Sequence, residues 1–358
     1  MIIYQSTKEN FLTDVEYGIE KAILSSYQSK TGKSVGQSER DSWKRSMRYM
    51  RDVLSDSEIP RDTGVTIEYQ IPQTSKRIDF VLTGQNDEQV NHAVLIELKQ
   101  WSEAELTKKD AVILTGFYGE VSHPSYQVWS YAALLQGFNE TVYNENIQLK
   151  PCAYLHNYIE DDVIRNEFYA SYLEKAPVFL EGDAEKEKLC SFIKRFVKRG
   201  DKSNVMYRID CGKIRPSKSL ADSLAKMLKG NEEFIMIDDQ KIVYETALAL
   251  TKGSTAEKKN ILIVQGGPGT GKSVVAVNLL VALTKLGLLA QYVTKNAAPR
   301  AVYESMLTGV LRKTEIGNLF SGSGSYIDVD ANTFDALIVD EAHRLNERSG
   351  MFKNLGEN

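Results

Sequence analysis

The chain has 358 residues, 42% of them hydrophobic and 26% charged, which is room for two or three soluble domains, each with its own core. No apolar run approaches the roughly 18–20 residues needed to cross a bilayer, and the opening MIIYQSTKENF lacks the charged, apolar and cleavage regions of a signal peptide, so the expected location is cytoplasmic with no membrane partner. A net charge of −4 gives no global attraction to nucleic acid, which leaves any such binding to local basic patches; Cys152, Cys190 and Cys211 follow no metal-ligand spacing and read as reduced thiols.

Residues 1–60 read as helical. Thr7 or Thr13 is a cap for a helix through Ile19 and Ile23 to about Tyr27, and Ser38 or Ser42 for one reaching Leu54. The period then changes to that of strands: Val65 to Ile71, Arg77 to Leu82, a turn at Gly84-Gln-Asn-Asp, and His92 to Leu98. Pro124 suits the first turn of a helix running to about Gln136. Pro151 to His156 and Val178 to Leu180 read as short buried strands. Residues 183–232 are mixed and charged. The basic run Lys194-Arg-Phe-Val-Lys-Arg199 is better read as a solvated helix face than as a nucleic-acid patch, and 217–229 reads as a connecting helix. From Phe234 onward strand and helix alternate, as in a parallel α/β sheet.

The second half carries Gly266-Gly267-Pro268-Gly269-Thr270-Gly271-Lys272-Ser273, which fits the G-x-x-x-x-G-K-[ST] pattern of a phosphate loop. An apolar strand, Ile261-Leu-Ile-Val264, is expected to lead in, and a helix from Val274 to about Lys285, stopped by Gly287, to lead out. The glycines let backbone N–H groups point at phosphate oxygens. Lys272 offers charge to the β- and γ-phosphates of ATP, and Ser273 a ligand to Mg²⁺. Leu337-Ile-Val-Asp340-Glu341 supplies the other half: Asp340 at a strand end to hold magnesium, and Glu341 as the base that polarises water. Gln240, shortly upstream, resembles the adenine-reading glutamine of superfamily 1 helicases; a plain surface residue is the competing reading.

The first half carries a different chemistry. Glu97 and Lys99, two apart on a strand, share a face, and Asp79 on the neighbouring strand meets them. Two converging carboxylates, with the Leu98 carbonyl, suit Mg²⁺ or Mn²⁺, and Lys99 suits the positioning of water or the neutralisation of phosphorus. This is the D…(D/E)-x-K arrangement of restriction-type nucleases. Gln127 and Tyr131 lie one helical turn apart, a Q-x-x-x-Y spacing that resembles the RecB-type branch of those nucleases, with a core aromatic as the bland alternative for Tyr131. His123 reads as structural, and Glu20 and Glu39 as outside candidates for extra ligands.

Together the segments Ile71 to Asp79, Glu97 to Trp101, His123 to Gln127, Gly266 to Ser273 and Asp340 to Asn346 resemble a bacterial family of nuclease–helicase fusions. That family joins an N-terminal PD-(D/E)XK domain to a Schlafen-like superfamily 1 DNA/RNA helicase region. The resemblance implies nucleic acid as partner, DNA more than RNA, and an α/β architecture in three parts. These are a restriction-endonuclease-like αβββαβ domain over 1–205, a helical connector over 206–232 and a RecA-like P-loop lobe over 233–358. It also implies a second motor lobe that this sequence lacks. The chain is therefore expected to be a truncated piece or a short protein, with another copy or another chain supplying that lobe. A nucleotide-gated binder with an inactive nuclease site is the rival reading, and a regulatory AAA-type ATPase a weaker one.

Overall fold

A computed structural model describes residues 1–72, 74–159, 162–214, 224, 226–228, 234–295, 297–308, 312–326 and 329–345. The chain divides into two compact units, Met1–Pro216 and Ser217–Asn358. Both mix helices with sheets, and parallel and antiparallel pairing both occur, so the chain is α/β.

The first unit opens with β1 (Ile2–Thr7), followed by α1 (Lys8–Tyr17), α2 (Ile19–Thr31) and α3 (Gln37–Leu54). Thr7 caps α1, its hydroxyl accepting the Asn10 N–H. The helix expected to run on to Tyr27 breaks at Gly18, which takes φ 94°, a left-handed conformation. The strand β1 was not foreseen. Its apolar Ile2-Ile-Tyr4 belongs to no periodic run, and pairing makes it a strand: Tyr4 lies opposite Ile67 in the antiparallel ladder with β2.

Then come β2 (Gly64–Gln70), β3 (Arg77–Gln85) and β4 (Asn91–Lys99), antiparallel in succession. Gly84 lies inside β3 and not in a turn. A Cβ there would stand 2.5 Å from the Arg199 carbonyl oxygen and 2.7 Å from Val197, so the glycine serves close chain approach. A small unforeseen meander follows, β5 (Glu105–Leu106), β6 (Val112–Thr115) and β7 (Gly119–Ser122), and then α4 (Pro124–Phe138), α5 (Glu140–Asn144) and β8 (Gln148–Leu155). The unit closes with α6 (Ala170–Lys175), β9 (Val178–Phe179), α7 (Asp183–Phe196) and α8 (Val205–Asp210).

Among the described residues the large sheet has the order β1-β2-β3-β4-β8-β9, with β8 and β9 parallel to β4. Residues His92 to Leu98 of β4 are all buried, as expected of a central strand with α4 and α7 packed on it. Phe11, Ile23, Met50 and Val53 of the helices join Ile67, Phe80, Val94 and Ile96 of the sheet in one core. Lys194 in the basic run is tied to Asp56 and Glu58 at 2.8 and 2.7 Å, in keeping with a helix face rather than a free cationic patch.

The second unit contains α9 (Asp239–Lys252), α10 (Lys272–Lys285), β10 (Ala290–Thr294), α11 (Ala297–Leu307), α12 (Lys313–Leu319), β11 (Phe320–Ser321) and β12 (Ala336–Asp340). Its parallel sheet has the order β11-β10-β12. The strand expected at Ile261-Leu-Ile-Val264 is not formed: these residues belong to no sheet among the described residues, and Ile261 and Ile263 are 89% and 78% exposed. An apolar run is a strand only when a neighbour takes its backbone groups, and composition does not supply the neighbour. The connecting helix over 217–229 lies outside the described residues except for 224 and 226–228, which are helical. No helix among the described residues is long and apolar enough to cross a membrane.

Phe11 is fully buried, with its ring edge-on to Phe80 at 5.4 Å. Phe11→Ala should destabilise the first unit by about 3–5 kcal/mol. The check is the urea midpoint of the full chain by fluorescence, and an unmoved midpoint would show that this pair does not hold the helices to the sheet.

Candidate functional site

The backbone ladder between β3 and β4 runs from Gln85–Asn91 to Phe80–Ile96 and ends there. One residue further on, the Asp79 side chain replaces the ladder: its Oδ2 accepts the Leu98 N–H at 2.8 Å. Meanwhile β4 stays paired with β8, Glu97 opposite Ala153 and Lys99 opposite Leu155. The two strands thus fork, and the acids stand in the fork. Glu97 is 2% exposed, and its Oε1 accepts from Lys99 Nζ at 2.8 Å. The Asp79 carboxyl is within hydrogen-bonding reach of Glu97 as well. Asp79, Glu97 and Lys99 therefore meet, and Lys99 also lies over the Trp101 ring at 5.3 Å.

Burial raises the Asp79 pKa; the Lys99 ammonium, the Leu98 amide and Arg77 oppose the rise without cancelling it. Two carboxyls in hydrogen-bond contact need a proton or a cation between them. The donors are all oxygen, which fits a hard divalent ion that keeps most of its shell as water or substrate oxygens. Among the described residues no group of three or more His, Cys, Asp and Glu side chains is arranged to hold a metal, so any ion here would rest on two carboxylates.

The alternation of β2 reads Glu68 as a solvent-facing residue and hides its role. In the structure it is 7% exposed and sits between Ile67 and Tyr69, which pair with Phe80 and Ile78; this sets it across from Asp79. Its φ of 55° is rare for a residue with a side chain. Trp43 Nε1 donates to its Oε1 at 2.8 Å, and Arg77 pairs with its Oε2 at 2.9 Å. Burial first, and Asp79 second, push its pKa up to about 7 against the pull of Arg77. Arg77 also holds Glu39 at 3.1 Å, which brings that candidate to the edge of the group. Glu20 is not brought there; its carboxylate lies beside Gly18 at the helix break.

Gln127 and Tyr131 meet as their spacing requires: Gln127 Nε2 donates to the Tyr131 hydroxyl at 3.2 Å, and α4 packs on β4 and β8. Tyr131 is 1% exposed, so it serves the core as well. His123 is structural. Its Nδ1 accepts the Ser125 N–H and caps α4 next to Pro124, its Nε2 bonds the Ile164 carbonyl at 2.9 Å, and burial lowers its pKa to about 4.

In the second unit Gly269 and Gly271 take φ 75° and 82°, values open to glycine, and the chain then enters α10 at Lys272. Lys272 Nζ folds back on the Gly266 and Gly267 carbonyls at 2.7 and 2.9 Å, and Thr270 Oγ1 donates to Gly267 O. The loop, Pro268 included, is exposed as far as Thr270. Gln240 is tied to it: Nε2 donates to Thr270 O at 2.9 Å, and Oε1 accepts the Ile237 N–H. Ser273 Oγ donates to Asp340 Oδ2 at 3.0 Å, joining the start of α10 to the end of β12. Glu341, at φ 55°, is partly exposed and lies 3.7 Å from Arg344 Nε. Thus Gln240, the glycine loop, Ser273 and Asp340 form one cluster.

Because the folded-state pKa of Glu68 lies above its ordinary value of 4.5, the stability that Glu68 contributes is present at low pH and lost as pH rises through about 7. Glu68→Gln should therefore show a shallower fall of melting temperature than the parent between about pH 5 and pH 8. Melts across that range check it; parallel curves would contradict the burial account.

Residues 259–358 match the family model described as Schlafen group 3, DNA/RNA helicase domain. No curated protein and no solved structure matches the chain. The matched stretch holds the glycine loop, Ser273 and Asp340, so these members of the cluster lie in a region similar to a Schlafen-type DNA/RNA helicase domain, while Gln240 precedes it.

Proposed function

We propose that the first unit is a metal-dependent nuclease of the PD-(D/E)XK type acting on DNA, joined to an ATP-binding, RecA-like helicase lobe formed by the second. The observation that carries the nuclease reading is the fork: Asp79 on β3 and Glu97 on β4 converge with Lys99 where the two strands separate. The order of elements supports it too: with the separate meander β5–β7 and the short α5 set aside, α3, β2, β3, β4, α4 and β8 supply an αβββαβ series around the fork. The similarity of 259–358 to a DNA/RNA helicase domain supports nucleic acid as the partner.

In this reading Asp79 and Glu97 hold Mg²⁺ or Mn²⁺. Such an ion, when bound, polarises a phosphodiester and acidifies a bound water. Lys99, held 2.8 Å from Glu97, keeps its ammonium at the mouth of the fork, where it orients water or offsets charge on the phosphate. The Gln127 amide, fixed by Tyr131, is carried by α4, which packs on β4, and would support the site from the helix. In the second unit Lys272 swings from the loop carbonyls to the β- and γ-phosphates of ATP. Ser273 and Asp340 hold the nucleotide's magnesium, and Glu341 orients water.

Incubation of the full chain with labelled single- and double-stranded DNA, in Mg²⁺, Mn²⁺ or EDTA, tests this. Cleavage should need the metal and not ATP. Asp79→Ala should abolish cleavage together with any thermal shift caused by Mn²⁺, while Lys99→Ala should abolish cleavage and keep the shift. If both variants cut like the parent, the site is assigned wrongly; if the parent binds Mn²⁺ but never cuts, it is a binding module. Lys272→Ala should remove ATP binding measured by calorimetry.

A further inference from the structure

Tyr292 lies in the middle of β10, the central strand of the parallel sheet, and is 1% exposed. The register sets Tyr292 opposite Ile338 and Thr294 opposite Asp340. From there the phenol donates to Asp340 Oδ2, the same oxygen that takes the Ser273 hydroxyl. Asp340 Oδ1 accepts the Glu341 N–H at 3.0 Å. Three fixed donors thus occupy most of the roughly four lone-pair positions a carboxylate offers, which sets its rotamer while leaving room for one more partner.

The ring is held independently of the hydroxyl. Tyr303 of α11 and Phe320 of β11 each lie 5.8 Å away, and these two stack on one another at 5.2 Å. A phenylalanine would fill the same space. What the hydroxyl adds is its bond to Asp340, together with a contact to the Tyr303 hydroxyl, in a place where little water competes for it.

We propose that Tyr292 is a positioning residue for the magnesium side of the nucleotide site: its hydroxyl keeps Asp340 aimed at Ser273 and so sets how strongly Mg²⁺ tightens ATP binding. This rests on the ATP-binding reading of the glycine loop. A carboxylate already aimed by fixed donors loses little freedom when it engages the ion's shell, whereas one held by Ser273 and its own neighbouring amide must be ordered on binding. Tyr292 is buried within the sheet and closed to a ligand's phosphates, so binding of ATP without metal does not depend on it.

Calorimetric titration of the full chain with ATP, in EDTA and then at rising MgCl₂, tests the proposal. Tyr292→Phe should bind ATP in EDTA as the parent does, yet need about tenfold more Mg²⁺ for half of the metal-induced tightening. Asp340→Asn should shift the same quantity, and the double variant should be no worse than Asp340→Asn alone, because the hydroxyl acts through that carboxylate. A Tyr292→Phe curve equal to or tighter than the parent's overturns the proposal. So does an additive double variant, or a loss of ATP binding in EDTA, which would make Tyr292 a support of the fold. A parent that binds no ATP under either condition overturns the nucleotide reading itself.

Discussion

The fork between β3 and β4 rests on one substitution of partners: a side-chain carboxylate takes the place of a backbone carbonyl. Past Phe80 the ladder stops, and the Leu98 amide is satisfied by Asp79. The same bond closes the open end of the ladder and fixes a carboxylate next to Glu97. A buried amide left without a partner is costly, so the position of Asp79 is tied to the integrity of the sheet and not only to chemistry. On its other side β4 is held by β8, which keeps Glu97 and Lys99 extended after β3 has left. With His92 to Leu98 buried, a slip of one residue would exchange the two faces of β4 and carry the acid away from the fork.

The fork also concentrates charge where apolar residues would be expected. Glu68, Asp79 and Glu97 face the cations Arg77 and Lys99, and the strand period arranges them: Arg77 with Asp79, and Glu97 with Lys99, are two apart and share a face. Burial raises the pKa values of both Glu68 and Asp79 in spite of their cationic partners, and the neighbouring Asp79 and Glu39 carboxylates add to the rise at Glu68. A group in that condition takes up positive charge readily, as a proton or as a divalent ion. The left-handed backbone of Glu68 belongs to this arrangement, since an extended residue at that point would continue the strand alternation.

The second unit builds its cluster by another route. Here the acid is delivered by a parallel strand end and held by side chains from its surroundings: Ser273 from the start of α10 and Tyr292 from the adjacent strand. Gln240 ties the loop from the side through the Thr270 carbonyl, so the loop is shaped before any ligand arrives. Its glycines carry the conformation. Gly271 has both a positive φ and Gln240 within 2.4 Å of where a Cβ would stand, so a side chain there would be strained by backbone and neighbour alike.

Much of this was legible from residue order because it is governed by short-range rules. The period of β2, β3 and β4, the cap at Thr7, the proline start of α4, and the glycine loop leading into α10 each depend on neighbours within a few residues. Their expected and observed spans differ mainly at the ends. The i, i+2 pair Glu97 and Lys99 and the i, i+4 pair Gln127 and Tyr131 follow from helix and strand geometry alone. Other features were decided only by contacts between distant segments. Whether Ile2 to Thr7 pairs while Ile261 to Val264 finds no strand partner among the described residues is settled by which backbone edge is at hand, and composition says nothing of that. Glu68 reads as a surface acid until α3 brings Trp43 against it, and Tyr292 as a core aromatic until register and packing carry its hydroxyl to Asp340. Local sequence determines which way a side chain points along its own element; which charge or donor it meets there depends on the fold of the whole unit.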